Sequence, residues 1–163
     1  MVNVPLQVIA DARAADVSLW PILVAIAKYE SAYEPSAKGD YKTERGGVIV
    51  PRTTAGAFPT SFGYLQIHTD GGLGDGLSES RLLNGPYNMA VGAGQIRYEL
   101  SQGKTLYQAI RFWSTRDAAW ALYRQMVREG VNDRPIDAAQ GDPQRGLVPI
   151  LLSLGVLLIL GTI

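Results

Sequence analysis

The chain has 163 residues, close to half of them apolar, with fifteen basic and fifteen acidic side chains and no cysteine. A chain of this length buries one core and leaves little for a second domain. Zero net charge without a basic run gives no compositional support to a nucleic-acid surface, and the missing thiols exclude disulfides and thiolate metal sites.

The amino terminus lacks the basic start and continuous apolar stretch of a secretory signal. Residues 5–15 read as a short helix with Leu6, Ile9 and Ala10 on one side and Asp11 and Arg13 on the other. Residues 19–31, LWPILVAIAKYES, read as a second helix, capped by Ser18, with Pro21 in its first turn and Pro35 as its stop. On a 3.6-residue period Ile22, Ile26 and Glu30 lie one above another, flanked by Leu23 and Ala27, so Glu30 closes an apolar face. A carboxyl group there loses hydration most in its charged form, which suits it to donate a proton near neutral pH. The plainer alternative is a Glu at a helix end with its head in water.

Residues 31–60 are rich in Gly, Pro and Thr, with Val48, Ile49 and Val50 as the only strong strand signal. This reads as a loop with one small hairpin, either walling a groove or forming a surface excursion. In SFGYLQIH, residues 61–68, Gly63 allows close backbone approach, and Gln66 either offers its amide to an acetamido group or braces the turn. His68, the single histidine, reads as a polar lip residue, since no His cluster supports zinc. The glycine-rich lip after it has neither the lysine nor the helix of a phosphate loop. Its Asp70 and Asp75 are the candidates for a second carboxylate.

Residues 86–102 carry Met89, Ala93, Ile96 and Leu100 at helical spacing, with Gly103 as the stop. Gly92 and Gly94 inside that helix point to close packing. Thr105 caps a helix through Leu106, Ala109, Ile110 and Trp113, and a last soluble helix covers 116–129, with Trp120, Tyr123 and Val127 facing the core. Tyr98, Tyr107, Phe112 and Trp113 are either core aromatics or sugar-stacking ones. Residues 131–146 read as a polar linker, and 147–163, which carry no charge, as a membrane anchor helix just long enough for a thin bilayer. A buried core helix is the competing reading of that tail.

Three blocks occur in a telling order: an apolar helix ending in Glu30 and Ser31; Gly63, Leu65, Gln66 and Ile67 as Gly-x-Leu-Gln-Ile; and Pro86, Asn88, Met89 and Gly92 as Pro-x-Asn-(apolar)-x-x-Gly. Together they resemble the lysozyme-like domain of the soluble lytic transglycosylases, the goose-lysozyme superfamily, over residues 6–127. Three features depart from that pattern. Residues 39–60 look like an insertion, Tyr64 displaces an apolar position, and the fourth block, Ala-Tyr-Asn-Ala-Gly, appears only as AIRFWST with Phe112 or Trp113 at the aromatic place.

The resemblance implies a mainly α, lysozyme-like domain over 1–130 with a small hairpin, followed by the linker and a C-terminal transmembrane helix. It implies Glu30 as acid and then base, Ser31 as its orienting neighbour, and Gly63, Tyr64, Leu65, Gln66, Asn88, Phe112 and Trp113 along a glycan groove, with no metal or cofactor. The implied reaction cleaves the β-1,4 bond between N-acetylmuramic acid and N-acetylglucosamine in peptidoglycan strands and leaves a 1,6-anhydro end. Two alternatives stand beside it: a lysozyme-type hydrolase using Asp70 or Asp75, and a non-catalytic peptidoglycan-binding module. Delivery by a bacteriophage particle, with virion proteins and a lipid bilayer as partners, is the expected setting.

Overall fold

A run of apolar residues with no polar face is stable only where protein surrounds it. The computed structural model, which describes residues 3–131, meets that demand with helix α2 (Trp20–Ser31), in which every residue from Trp20 to Ala27 is buried. The sequence periodicity predicts one apolar stripe; the helix instead runs through the core. Helix α1 (Leu6–Ala15) and helix α6 (Arg116–Arg128) pack on it, and α4 (Gly85–Ser101) lies against α1 and touches α2. Two short helices, α3 (Glu79–Leu82) and α5 (Leu106–Ala109), pack on α4. The architecture is mainly helical, as the sequence predicts. No helix among the described residues is long and apolar enough to cross a membrane. The predicted linker at 131–146 lies, beyond Val131, outside the described residues, as does the anchor at 147–163.

Three two-residue strands form an antiparallel sheet in the order β1 (Lys38–Gly39), β2 (Ser61–Phe62), β3 (Ile67–His68), with Lys38 opposite Phe62 and Ser61 opposite His68. The sheet closes the base of the 39–60 excursion, and a further bridge joins Lys42 to Phe58. Asp70 pins the excursion from outside by accepting from Lys42 Nζ at 2.7 Å and from the Gly46 N–H at 2.8 Å. Lys42 and then that backbone donor hold the Asp70 carboxyl below the usual range. The Val48–Val50 strand signal is not realised. The Val50 N–H closes a local loop on the Tyr41 carbonyl, and Val48 stays 79 % exposed for want of a strand to pair with.

Several expected helix details shift. The inward face of α1 is Val8, Asp11 and Ala12, while Leu6 points out at 84 % exposure, because α2 and α4 meet the helix on that other side. The approach to α2 is capped by Asp16 and not by Ser18: Asp16 Oδ1 accepts from the Ser18 and Leu19 N–H groups, and both its oxygens accept from Arg97 on α4. Helix α2 ends before Pro35, at Ala32 and Tyr33, both left-handed with φ of 52° and 71°. The predicted helix from Thr105 to Trp113 stops at Ala109 after a full capping box between Thr105 and Gln108. Helix α6 matches its predicted span closely and buries Ala119, Tyr123 and Met126, with Trp120 and Val127 half-buried against the core. The glycine-rich lip at 69–78 folds back on itself, its Gly74 buried under the His68 carbonyl, Ile67 and Leu82.

The two helix-interior glycines of α4 differ. A Cβ at Gly92 would meet Leu65 Cδ1 at 2.2 Å, whereas Gly94 faces open space. Gly94→Ala should therefore stabilise the protein by up to about 1 kcal/mol through helix propensity. Gly92→Ala should destabilise it by about 1–3 kcal/mol through overpacking. Urea denaturation of the two variants side by side checks the contrast.

Asp16 supplies a pH-dependent term. Burial opposes its ionisation, but Arg97 and the two backbone donors together outweigh that and lower its pKa. A carboxyl that ionises more readily folded than unfolded contributes stability above its unfolded value of about 3.9, and this stability is lost as pH falls through the folded value. Asp16→Asn should be less stable than the parent at pH 7 by on the order of 1 kcal/mol, the scale of a partly exposed pair. The difference should shrink as pH falls below about 4. Urea midpoints across that range measure it.

Candidate functional site

Helix α2 leaves the core at its last turn, so Lys28 and Tyr29 are exposed and Glu30 and Ser31 half-buried. Glu30 thus sits at the edge of the apolar core and not inside it. Its carboxylate accepts a hydrogen bond from Thr115 Oγ1 at 2.5 Å. Ser31, expected to orient Glu30, donates its hydroxyl to the Ala27 carbonyl one turn back, at 3.1 Å. That same carbonyl also accepts from the Ala32 and Tyr33 N–H groups. The left-handed pair that follows costs of order 1–3 kcal/mol per residue and persists only where surrounding structure imposes it. Lys28 lies over the Tyr33 ring at 5.2 Å, and burial, reinforced by nearby Tyr29, pushes the Tyr33 phenol up.

The Ser61–His68 hairpin is held by side chains that the sequence assigns to the groove. Asn88, fully buried on α4, accepts from the Leu65 N–H at 2.8 Å and donates to the Phe62 and Leu82 carbonyls at 2.9 and 3.0 Å. Gly63, left-handed at φ 72°, lies so close that a Cβ would meet the Leu82 carbonyl at 2.4 Å and Asn88 Nδ2 at 2.5 Å. Its N–H donates to the Ala37 carbonyl, so the turn is also tied to the chain just after α2. Tyr64 points into the core, where its hydroxyl donates to Asp11 at 3.0 Å; burial first, and then that bond, raise the phenol's pKa. Leu65 is fully buried against Gly92. Gln66, left-handed at φ 47°, spends its amide on the turn: Nε2 donates to the Gly63 carbonyl at 2.9 Å and Oε1 accepts from Ser61 at 2.8 Å.

Tyr64, Leu65 and Asn88 therefore shape the turn from within and present no side-chain surface to a glycan, which for Leu65 and Asn88 differs from their expected place on the groove wall; the expectation at Gly63 and Tyr64 concerned their backbone. Of the two bracing and binding roles open to Gln66, the hydrogen bonds display the bracing one. Trp113, 5 % exposed, is likewise core, its indole N–H donating to the Leu65 carbonyl at 3.0 Å. Phe112 turns outward at 49 % exposure beneath Arg111, and Tyr98 is exposed too. Tyr107 is tied into the helix pair by donating to Asp117 at 2.6 Å and meeting Trp120 edge-on.

These bonds bring the separate motif blocks together. Asn88 fixes the Leu65 turn, Leu65 receives Trp113, and two residues after Trp113 comes Thr115, which reaches Glu30. The segment that carries Thr115 is anchored by Glu99, 2 % exposed on α4, which engages Lys104, Gln95 and Arg111. Lys104 above all holds the Glu99 carboxyl below its usual range. Thr115 occupies the cap position of α6, where a Thr hydroxyl that bonds its own helix is worth about 1 kcal/mol, yet it makes no such bond. Sequence reasoning missed it because a Thr just ahead of a helix reads as a cap.

Neither expected second carboxylate joins Glu30 through a recorded bond: Asp70 is committed to Lys42 and Gly46, and Asp75 is exposed on the lip. His68 pairs with Asp40 at 3.0 Å on the sheet edge. Among the described residues no group of three His, Cys, Asp or Glu side chains could hold a metal ion. A hollow of about 230 Å³ opens between the excursion and β2, with Arg45, Phe58, Thr60, Phe62, Asp70 and Glu79 among its lining; Glu30 does not line it. Comparison with protein-family models, curated proteins and solved structures found no match to this chain.

Asn88→Ala would leave the Leu65 N–H and the Phe62 and Leu82 carbonyls unpaired in the core. The expected loss is about 3 kcal/mol or more, at about 1–3 kcal/mol for each buried unsatisfied group. Thermal denaturation measures it, and amide exchange at Leu65 should accelerate ahead of the helical amides.

Proposed function

We propose that the chain is a peptidoglycan lytic transglycosylase with Glu30 as its acid and base, acting on glycan strands and attached to a bilayer by residues 147–163. Carriage by a phage particle belongs to the same reading. The observation that carries it is the convergence of the motif blocks on one corner: Glu30 at the exit of a buried helix, bonded to Thr115, within two residues of the Trp113 that ties the Asn88-held turn. Strained backbone follows Glu30 along the chain, since Ala32 and Tyr33 are two of the four non-glycine residues with positive φ among the described residues. Such strain clusters at active sites.

In this reaction the Glu30 carboxylic acid gives its proton to the oxygen linking N-acetylmuramic acid to N-acetylglucosamine, and the C1–O bond breaks. The carbonyl oxygen of the muramoyl acetamido group supplies electrons to C1, which removes the need for a second enzyme carboxylate. The Glu30 carboxylate then takes the proton of the muramoyl 6-hydroxyl, whose oxygen attacks C1 and closes the 1,6-anhydro ring as the acetamido oxygen leaves C1 with its electron pair. Glu30 ends protonated as it began, and no water is consumed. The engagement of Asp70 by Lys42 and Gly46 favours this route over hydrolysis with Asp70 as the water-activating base.

The test is mass spectrometry of muropeptides released from purified peptidoglycan by the full-length chain, with Glu30→Gln alongside. Products one water lighter than hydrolysed ends are expected. Glu30→Gln keeps an oxygen to accept from Thr115, so its melting temperature should match the parent while cleavage falls by about 10²–10⁴-fold, the scale of a general acid. Undiminished cleavage by Glu30→Gln would remove the assignment, and reducing ends would make the protein a hydrolase.

A further inference from the structure

The neighbour expected to orient Glu30 does not do so. The Ser31 hydroxyl is committed to the Ala27 carbonyl, while Thr115, 85 positions away, donates to Glu30 Oε1 at 2.5 Å. We infer that Thr115 is the positioning residue of Glu30, holding one carboxyl oxygen so that the proton is delivered from and returned to the other. The inference rests on the proposed role of Glu30 and extends it to a residue outside the blocks that suggested it.

Two independent observations support it. Thr115 sits at the cap position of a thirteen-residue helix, but its backbone, at φ −85° and ψ 9°, is not the extended one of a capping residue, and its side chain makes no cap bond. Its hydroxyl therefore serves Glu30 and not α6. The placement is also built from both sides: the Trp113 indole is fixed on the Leu65 carbonyl, and Lys104 and Arg111 gather on buried Glu99. A side chain that merely drifted against Glu30 would need no such framing.

The hydrogen bond has a defined part in the cycle. Before proton delivery the Thr115 O–H holds Oε1 and fixes the rotamer, leaving the acidic proton on Oε2 toward the glycosidic oxygen. After delivery the same bond is charge-assisted and stronger, which steadies the carboxylate until the 6-hydroxyl proton arrives. Thr115 keeps its own proton throughout and forms no covalent bond.

Thr115→Val and Thr115→Ser in the full-length chain test this. Val removes the hydroxyl and nearly preserves shape; since that hydroxyl caps nothing, the melting temperature should stay close to that of the parent. Muropeptide release by Thr115→Val should lose about 10–100-fold in kcat, the worth of a hydrogen bond to a charged group, with KM unchanged. Thr115→Ser should restore the parent kcat. Unchanged kcat in Thr115→Val, or a Ser variant as impaired as the Val variant, would overturn the inference.

A second readout needs no activity: the Glu30 carboxyl ¹³C resonance in glutamate-labelled protein should shift in Thr115→Val and return in Thr115→Ser. Should the parent release no muropeptide while that resonance behaves so, the transglycosylase reading falls and the Thr115–Glu30 pairing stands. A resonance unmoved in Thr115→Val would overturn the pairing itself.

Discussion

Everything in this fold depends on the burial of α2 on all its faces from Trp20 to Ala27. Fully burying an aliphatic side chain is worth about 1.5–3 kcal/mol, and Ile22, Leu23, Val24 and Ile26 are each enclosed completely. Neighbours on several sides are needed to do this, which is why α1 and α6, from opposite ends of the described chain, meet on one helix. The consequence for chemistry is positional. The first residues of that helix able to meet solvent are those of its last turn, and Glu30 is the carboxylate among them.

Around that helix the polar atoms inside the protein work as ties. Asn88 uses both ends of its amide, Trp113 its indole N–H, and Tyr64 its hydroxyl on Asp11, which also accepts from Gln7. Buried polar groups that are fully paired fix geometry more sharply than apolar contacts, because each bond has a direction and a large penalty for its loss. The hairpin turn has only two residues in each strand and is too small to hold its shape alone. Its rigidity is borrowed from α4 through Asn88 and from the 110–115 segment through Trp113.

The proposed site then has a division of labour. Residues that look like ligands in the sequence hold the turn; groups nearer to Glu30 come from elsewhere, Thr115 by a hydrogen bond and Tyr29 by exposure beside it. Left-handed backbone at Ala32 and Tyr33, directly after Ser31, forces the chain to leave α2 sharply. It then runs to Ala37, whose carbonyl receives the Gly63 N–H. Helix end and hairpin are thereby placed by backbone as well as by side chains.

The sequence by itself determined the helices, read at 5–15, 19–31, 86–102 and 116–129 and found within a residue of those bounds, because helical periodicity is a local property. The Ser61–His68 hairpin comes from the structure, since the sequence placed its one small hairpin within 31–60. The sequence also singled out Gly92 and Asn88 as special, though for Asn88 it offered a ligand where the fold uses a tie. Tertiary structure alone decided which face of α1 turns inward, that α2 is buried all round, that Val48–Val50 stays unpaired, and that Asp16 and not Ser18 caps the approach to α2. Each of these depends on what lies across the interface, and sequence periodicity carries no information about the neighbour. The partner of Glu30 belongs to the same class. A hydroxyl 85 residues away reads locally as a helix cap, and only the packing of α6 against α2 turns it toward the carboxylate.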